Sequence, residues 1–421
     1  MRQWNCLTKM EETKNNLSEA LEVAAQAGHV LLENGAEIAR VEETMERISS
    51  HYGATQSNFF VLSNGIFTTG NAGGSERYAN VEYIPLKGAQ MEKIAEINQL
   101  SRDIAADKYT LREARCKVEE IRRKPAKPFW EQVLGSAFGS AGFCILFGGG
   151  WLDSAAAFVV GLLVWAVVLL IGKPGVSKIV VNIAGAAFAT GLCFAFQSFG
   201  FGESLPNMII GSIIPLIPGV PFTNGIRDIA NEDYIAGMTR LLDALFVFLG
   251  IALGVCLVFL CLGHINGHFI EMHGSVQNPS TARLLIQTGA ALVGTVGFAV
   301  LFGVPRKQYL ATGIVGAVGW MLFFALSQYT GLSVVENTFL TSVVVVVLSR
   351  WAAVLRRCPV TVFLICGLFP LIPGAGVFWT TYYVTSNLLQ EALRSGFTAL
   401  SVTLAIVLAV VAVSGLQKVR R

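Results

Sequence analysis

The chain has 421 residues, 53% of them hydrophobic and 14% charged, with a formal net charge of +3. So apolar a composition excludes one soluble globule, and so small a charge leaves a nucleic-acid partner without an electrostatic footprint. The apolarity is uneven: residues 1–128 are polar and charge-rich, and the rest is nearly uncharged.

The spacing of Leu17, Leu21, Ala24, Ala25, Val30 and Leu31 predicts a helix over residues 16–33, closed by Asn34-Gly35. A second helix is predicted over residues 36–52. Glu37, Arg40, Glu42 and Glu43 cluster on it, and no nucleophile and base can be assembled with them. They read as a solvated charged face or a docking surface for the membrane part, which makes the domain a regulatory or gating element rather than an enzyme. "FFVLSNGIFTTG" has the content of two short strands around Asn64-Gly65, "YANVEYIP" alternates like a third, and residues 89–124 return to helix. The segment is therefore expected to be a small α/β domain. The first apolar run begins near Phe129, too late for a signal peptide, so this domain is expected to stay in the cytoplasm.

Ten apolar segments follow, at 130–149, 151–171, 179–199, 206–226, 236–262, 282–303, 309–328, 334–352, 359–379 and 395–417. Each is long enough for a hydrocarbon core of about 30 Å. They thread so that Arg122, Arg123, Lys124, Lys127, Lys173, Lys178, Arg227, Arg306, Lys307, Arg350, Arg356, Arg357, Lys418, Arg420 and Arg421 face the cytoplasm, with both termini inside. Only Arg283 and Arg394 fall on the opposite side. The outer loop "HINGHFIEMHGSVQNPST" holds His264, His268 and His273 without a ligand-rich framework, so no metal and no cofactor are expected. Five of the eight cysteines lie in apolar runs and none forms a CxxC pair; they read as reduced packing residues. Ser136 and Ser140 read as close-packing positions rather than nucleophiles.

"PLIPG" occurs at residues 215–219 and again 155 positions later, at residues 370–374. The same shift carries each of the first five spans onto one of the last five, and pairs Gln132 with Gln287 and Asn182 with Asn337. Five crossings per half is an odd number, so the second half enters from the opposite face. The expected fold is an α-helical polytopic membrane protein of about ten transmembrane helices, two inverted five-helix repeats (residues 129–262 and 282–417) behind an N-terminal cytoplasmic α/β domain (residues 1–128). Pro215, Pro218 and Gly219, and again Pro370, Pro373 and Gly374, open their helices. Paired breaks at matching positions point to a binding site near the midplane, where freed backbone groups line a wet cavity; the bland reading is a pair of structural kinks.

These residues carry a resemblance. "PLIPGVPFTNGIRDIANEDYIAGMTRLLDAL", "GAEIARVEETM" and "SNGIFTTG" resemble the threonine/serine exporter family, and "FPLIPGAGVFWTTYY" resembles the smaller partner of its two-component relatives. The resemblance covers nearly the whole chain, here as a single-chain fusion. It implies secondary export of small amino acids across the cell membrane, driven by the proton motive force. In the two-component relatives it implies a dicarboxylate such as succinate instead. The remaining classes are a membrane-anchored signalling or hydrolytic protein using residues 1–128, and a passive channel. Lipid surrounds the chain in all of them, and homo-oligomerisation is left open.

Asn224, Arg227 and Asp228 follow the first break, and Arg240 and Asp243 lie three apart on the next helix. Ionisable groups at this depth line a pathway or pair with one another. Asp228 or Asp243 would carry the coupling proton and a guanidinium would hold a substrate carboxylate, or the set is an interfacial ion-pair network. The second half lacks counterparts of Asp228, Arg240 and Asp243. Glu336, beside Asn337, is a further candidate for the pathway or a residue that reaches headgroup water.

Overall fold

The computed structural model describes residues 2–54, 56–71, 77–85, 88–173, 175–262, 264–265, 268–269 and 280–418. His273, Arg420 and Arg421 lie outside them, and the side chains of His264, His268 and Lys418 are likewise undescribed. The chain forms two compact units. The first comprises Met1–Ala126, Asn224–Arg240 and Arg356–Thr361; the second comprises Lys127–Thr223, Leu241–Leu355 and Val362–Arg421.

In the first unit, α1 (Arg2–Glu33) ends where Gly35 takes φ 85°. There the amides of Gly35 and Ala36 donate to the carbonyls of Leu32 (3.0 Å) and Leu31 (2.9 Å), closing the helix as a left-handed cap. α2 (Ile38–His51) follows after a sharp turn. The strands β1 (Ser57–Leu62), β2 (Gly65–Asn71) and β3 (Arg77–Tyr83) form an antiparallel sheet in that order, with Leu62 opposite Gly65 and Gly65 opposite Tyr83. The single helix expected over residues 89–124 is two, α3 (Met91–Ala105) and α4 (Leu111–Arg123). The break has a local cause: Asp107 takes φ 56°, and Thr110 and Glu113 form a reciprocal capping box that starts a new helix. Leu21, Ala24, Leu31, Ile38, Met45, Ile48, Ile94, Ile97 and Val118 are buried between these helices. Each large apolar side chain buried this way stabilises by about 1.5–3 kcal/mol.

The remaining helices are α5 (Phe129–Leu146), α6 (Trp151–Ile171), α7 (Lys178–Ser198), α8 (Leu205–Ile213), α9 (Gly219–Ala230), α10 (Tyr234–Leu262), α11 (Thr281–Leu301), α12 (Tyr309–Tyr329), α13 (Val334–Arg356), α14 (Val360–Leu368), α15 (Gly374–Thr385) and α16 (Leu389–Lys418). Two short strands, β4 (His264–Ile265) and β5 (His268–Phe269), pair between α10 and α11. Among the described residues, eight helical segments are long and apolar enough to cross a membrane, or nine if α8 and α9, bent by 63°, count as one span. Ten were expected, and α5 is the one that falls outside this count. α5, the first expected span, has 18 residues and is diluted by Glu131, Gln132 and its glycines and serines.

The shift of 155 positions recurs in three dimensions. It superposes the bounds of α8 on α14, the 3-10 turn Ile214–Leu216 on Phe369–Leu371, and α9 on α15. Trp165 donates to Gln132 at 3.4 Å, and their counterparts repeat the bond, Trp320 to Gln287 at 3.0 Å. α5 and α11 meet through glycine. A methyl group on Gly142 would lie 2.7 Å from the Ala290 carbonyl, and one on Gly297 would lie 2.5 Å from the carbonyl of Gly135, the counterpart of Ala290. Gly297 is the counterpart of Gly142, so the contacts are reciprocal, as at a two-fold interface. Early residues of one helix meet late residues of the other, so α5 and α11 run antiparallel. Phe143 and its counterpart Phe298 stack edge to face on this axis, 5.1 Å apart.

Candidate functional site

The two breaks share one local geometry but differ in bend: α8 and α9 are bent by 63°, whereas α14 and α15 together form one span. After each 3-10 turn the chain extends at one isoleucine: Ile217 at φ −64°, ψ 131°, and Ile372 at φ −63°, ψ 132°. The next amide bond closes tightly, Gly219 to the Ile217 carbonyl at 2.8 Å and Gly374 to the Ile372 carbonyl at 2.7 Å. Pro215 and Pro218, like Pro370 and Pro373, remove the amides that would have continued the helix. The two breaks also pack on each other. A methyl group on Gly219 would run into the Phe369 ring, and one on Gly374 into Ile217. Phe369 stacks on Phe298 at 4.0 Å and meets Phe143 at 5.6 Å, so the junction is apolar and closely packed.

A cavity of about 490 Å³ opens beside the second break. Its wall includes Pro370, Pro373, Trp320, Trp379 and Tyr383, with Glu391 and Arg394 from the first turns of α16. Trp379 stacks on Tyr383 at 5.7 Å and Trp320 on Phe323 at 5.3 Å. Pro370 and Pro373 were expected here; Trp379, Tyr383, Glu391 and Arg394 were not. Arg394 did carry a signal, as one of only two basic residues that threading leaves on the side opposite the others.

In the first unit the turn Gly35–Ile38 meets residues 224–240. Asn224 donates to the Gly35 carbonyl at 2.5 Å, and Arg240 to the Ala36 carbonyl at 2.7 Å. Asp228 accepts from the Ile38 amide at 3.0 Å through one oxygen and from Arg240 at 2.6 Å through the other. Glu37 accepts from Arg40 at 3.0 Å and pairs with Arg227; Arg40 reaches Asn98 at 3.2 Å. Asp228 is 0% exposed and Arg240 and Glu37 3% each, so this is a desolvated network. Burial by itself would raise the Glu37 carboxyl, but Arg227 and Arg40 outweigh it and hold it below the ordinary carboxylate range. Glu37 is buried, so the reading of a solvated face does not hold for it. The stretches "GAEIAR" and "NGIRD" are the two faces of one contact.

The other candidates are not drawn into this network. Asp243 is half-buried and makes no ion pair among the described residues. Among the described residues Asn182 donates within its own helix, to the Lys178 carbonyl at 2.8 Å. Asn337 is buried and ties α13 to α12 through the Phe323 carbonyl at 2.8 Å. Glu336 accepts from the amide and hydroxyl of Ser333, both at 2.8 Å, and so caps α13. Two buried carboxylates were missed. Asp153 accepts from the amides of Gly150, Glu203 and Ser204 at 2.8, 2.6 and 3.0 Å, joining the start of α6 to the α7–α8 connection, and Glu131 pairs with Arg306. Among the described residues no cluster of three His, Cys, Asp or Glu side chains could hold a metal.

Duplicated broken helices, packed at their breaks and flanked by a cavity, define a multi-pass helical membrane protein of the transporter class. The chain belongs to the family described as "Putative threonine/serine exporter", whose profile matches residues 22–261. A second profile, "Threonine/Serine exporter, ThrE", matches residues 287–416. The chain is 24% identical over 401 residues to a threonine/serine exporter of Corynebacterium glutamicum, covering 93% of this chain and 80% of that one. It is 22% identical to a "Probable threonine/serine exporter" of Mycobacterium tuberculosis, over 93% of this chain and 75% of that one. A "Probable succinate transporter subunit YjjP" of Escherichia coli is 24% identical over 56% of this chain and 93% of its own length. No solved structure matches the chain.

Proposed function

We propose that the chain is a proton-coupled secondary exporter of threonine and serine. Its membrane part is two inverted five-helix repeats, residues 129–262 and 282–417, and residues 1–128 form a cytoplasmic regulatory domain. The observation that carries the reading is the pair of matched breaks, with the same dihedral angles and a cavity beside one of them. A membrane anchor has no need of duplicated broken helices. The antiparallel course of α5 and α11 supports inversion, because helices related by the repeat run in opposite directions. The cargo follows from the two relatives that cover most of the chain, described as a threonine/serine exporter and a probable one.

Pro215, Pro218, Gly219, Pro370, Pro373 and Gly374 then form the transport junction. Asn224, Arg227, Asp228 and Arg240 hold the turn Gly35–Ile38 as a clamp. Asp228 carries a proton only when that clamp opens, since both its oxygens are engaged in the closed form. Asp243, without an ion pair, is the alternative carrier. Counterflow in proteoliposomes with labelled threonine, with serine and succinate as competitors and an imposed pH gradient, tests the reading. Threonine and serine should exchange, and accumulation should follow the gradient. Uptake of succinate alone, or flux indifferent to the gradient, would overturn it.

A further inference from the structure

Under the shift of 155 positions, Asn224, Asp228, Arg240 and Asp243 correspond to Trp379, Tyr383, Ser395 and Thr398. All four of these counterparts line the cavity beside the second break. In the first half all four positions hold charge or amide, and three of them, Asn224, Asp228 and Arg240, are occupied by the turn Gly35–Ile38. In the second half the same positions are aromatic or hydroxylic and face open space. The charge there is displaced: Glu391 and Arg394 stand three apart on α16, hence on one face, and both border the cavity.

We propose that this cavity is the binding site for a small zwitterion, with Arg394 holding its carboxylate and Glu391 its ammonium. The proposal rests on the exporter reading and names the site within it. A guanidinium grips a carboxylate through two parallel hydrogen bonds, and a carboxylate one turn away on the same helix face meets an ammonium on the same carbon. Opposite charges so placed reject a dianion, which would meet Glu391 as a like charge. The hydroxyl-bearing Ser395 and Thr398 and the stacked Trp379 and Tyr383 wall the rest, with room for a side chain of a few atoms. About 490 Å³ is the size of a small-molecule site. Arg394 is one of only two basic residues that threading leaves on its side of the membrane.

The test is competition against labelled threonine counterflow by threonine, threoninamide, N-acetylthreonine and succinate, in wild type and in Arg394→Gln, Arg394→Lys and Glu391→Gln. In wild type the amide and the N-acetyl compound should each compete at least about tenfold more weakly than threonine. Arg394→Gln should weaken threonine about tenfold and erase discrimination against the amide, while keeping it against the N-acetyl compound. Glu391→Gln should do the reverse, and Arg394→Lys should recover part of the loss. Both residues are exposed, so these variants should fold. Unchanged discrimination in both glutamine variants, with or without loss of rate, overturns the site and leaves the exporter reading standing. Wild type that carries no threonine or serine sinks the exporter reading instead. Threonine binding, followed by quenching of tryptophan fluorescence beside Trp320 and Trp379, then decides the site: binding weakened by Arg394→Gln supports it, and no binding ends it.

Discussion

Asp228 has no solvent and no spare oxygen: the Ile38 amide takes one and the Arg240 guanidinium the other. Removing the carboxylate leaves a guanidinium buried without its charge partner, which costs about 3–5 kcal/mol. Asp228→Ala should therefore lower the unfolding temperature in detergent steeply, whereas Asp243→Asn, which breaks no ion pair, should stay within about 0.5 kcal/mol of wild type. Glu37 adds a pH dependence whose sign is fixed by its environment. Its folded-state value is depressed below 4.5, because Arg227 and Arg40 outweigh the cost of burial. The stability it contributes is therefore fully present above that ordinary value and is lost as pH falls through the depressed one. Thermal unfolding scanned downward from neutral pH should weaken only below about pH 4.5 on this account, and Glu37→Gln should be less stable at neutral pH with that segment of the dependence gone.

Among the elements, the broken helices invite the sharpest comparison. Replacing Pro215 and Pro218, or Pro370 and Pro373, with alanine restores amides that can rejoin a continuous helix. Either double variant should be as stable as wild type or more so, yet fail in counterflow; full transport would reduce the breaks to kinks. Gly219→Ala and Gly374→Ala should behave differently, because their methyl groups collide with Phe369 and Ile217 across the junction. Overpacking of this kind costs about 1–3 kcal/mol, and thermal unfolding would show it. The breaks were legible in the sequence because proline writes its effect into the chain locally, and the repeated spacing marked both at once. The hairpin was legible too, one residue off: its turn is Ser63-Asn64, and Gly65 already pairs with Leu62. The division of α3 from α4 was hidden, since Thr110 and Glu113 cap a helix only once Asp107 has turned the chain. The clamp was half legible: "GAEIAR" and "NGIRD" both stood out, but nearly 190 residues separate Ile38 from Asp228, and no local pattern reports such a contact. The cavity was the least visible, because aromatic residues in an apolar run look like packing until the space beside them is seen.

For the whole molecule, the proposed inversion would turn these local features into a cycle. The cavity is walled where α5 has just ended, at Phe147, and where α13 and α16 begin, at Val334 and Glu391. On the proposed topology, with the excess Lys and Arg at the other helix ends in the cytoplasm, that end faces the exterior. Three of the four counterpart positions in the first half, Asn224, Asp228 and Arg240, hold the turn Gly35–Ile38; on the proposed reading the first half is then closed while the second is open, as alternating access requires. Cysteine accessibility tests the cycle in a chain whose eight native cysteines have been replaced. Thr398→Cys and Ser275→Cys should react with an impermeant thiol reagent added outside cells, Lys173→Cys should not, and threonine should protect only the first. Asp243→Cys, the counterpart of Thr398→Cys, should react from the cytoplasmic side in inside-out vesicles, and slowly while the clamp holds. Adding Asp228→Ala removes the clamp and should shift the population toward the other state, speeding the reaction at position 243 and slowing it at position 398. The two rates must move in opposite directions. If both rise together, the clamp variant has merely loosened the fold; if neither moves, the turn Gly35–Ile38 is a fixed part of the structure and the gate lies elsewhere.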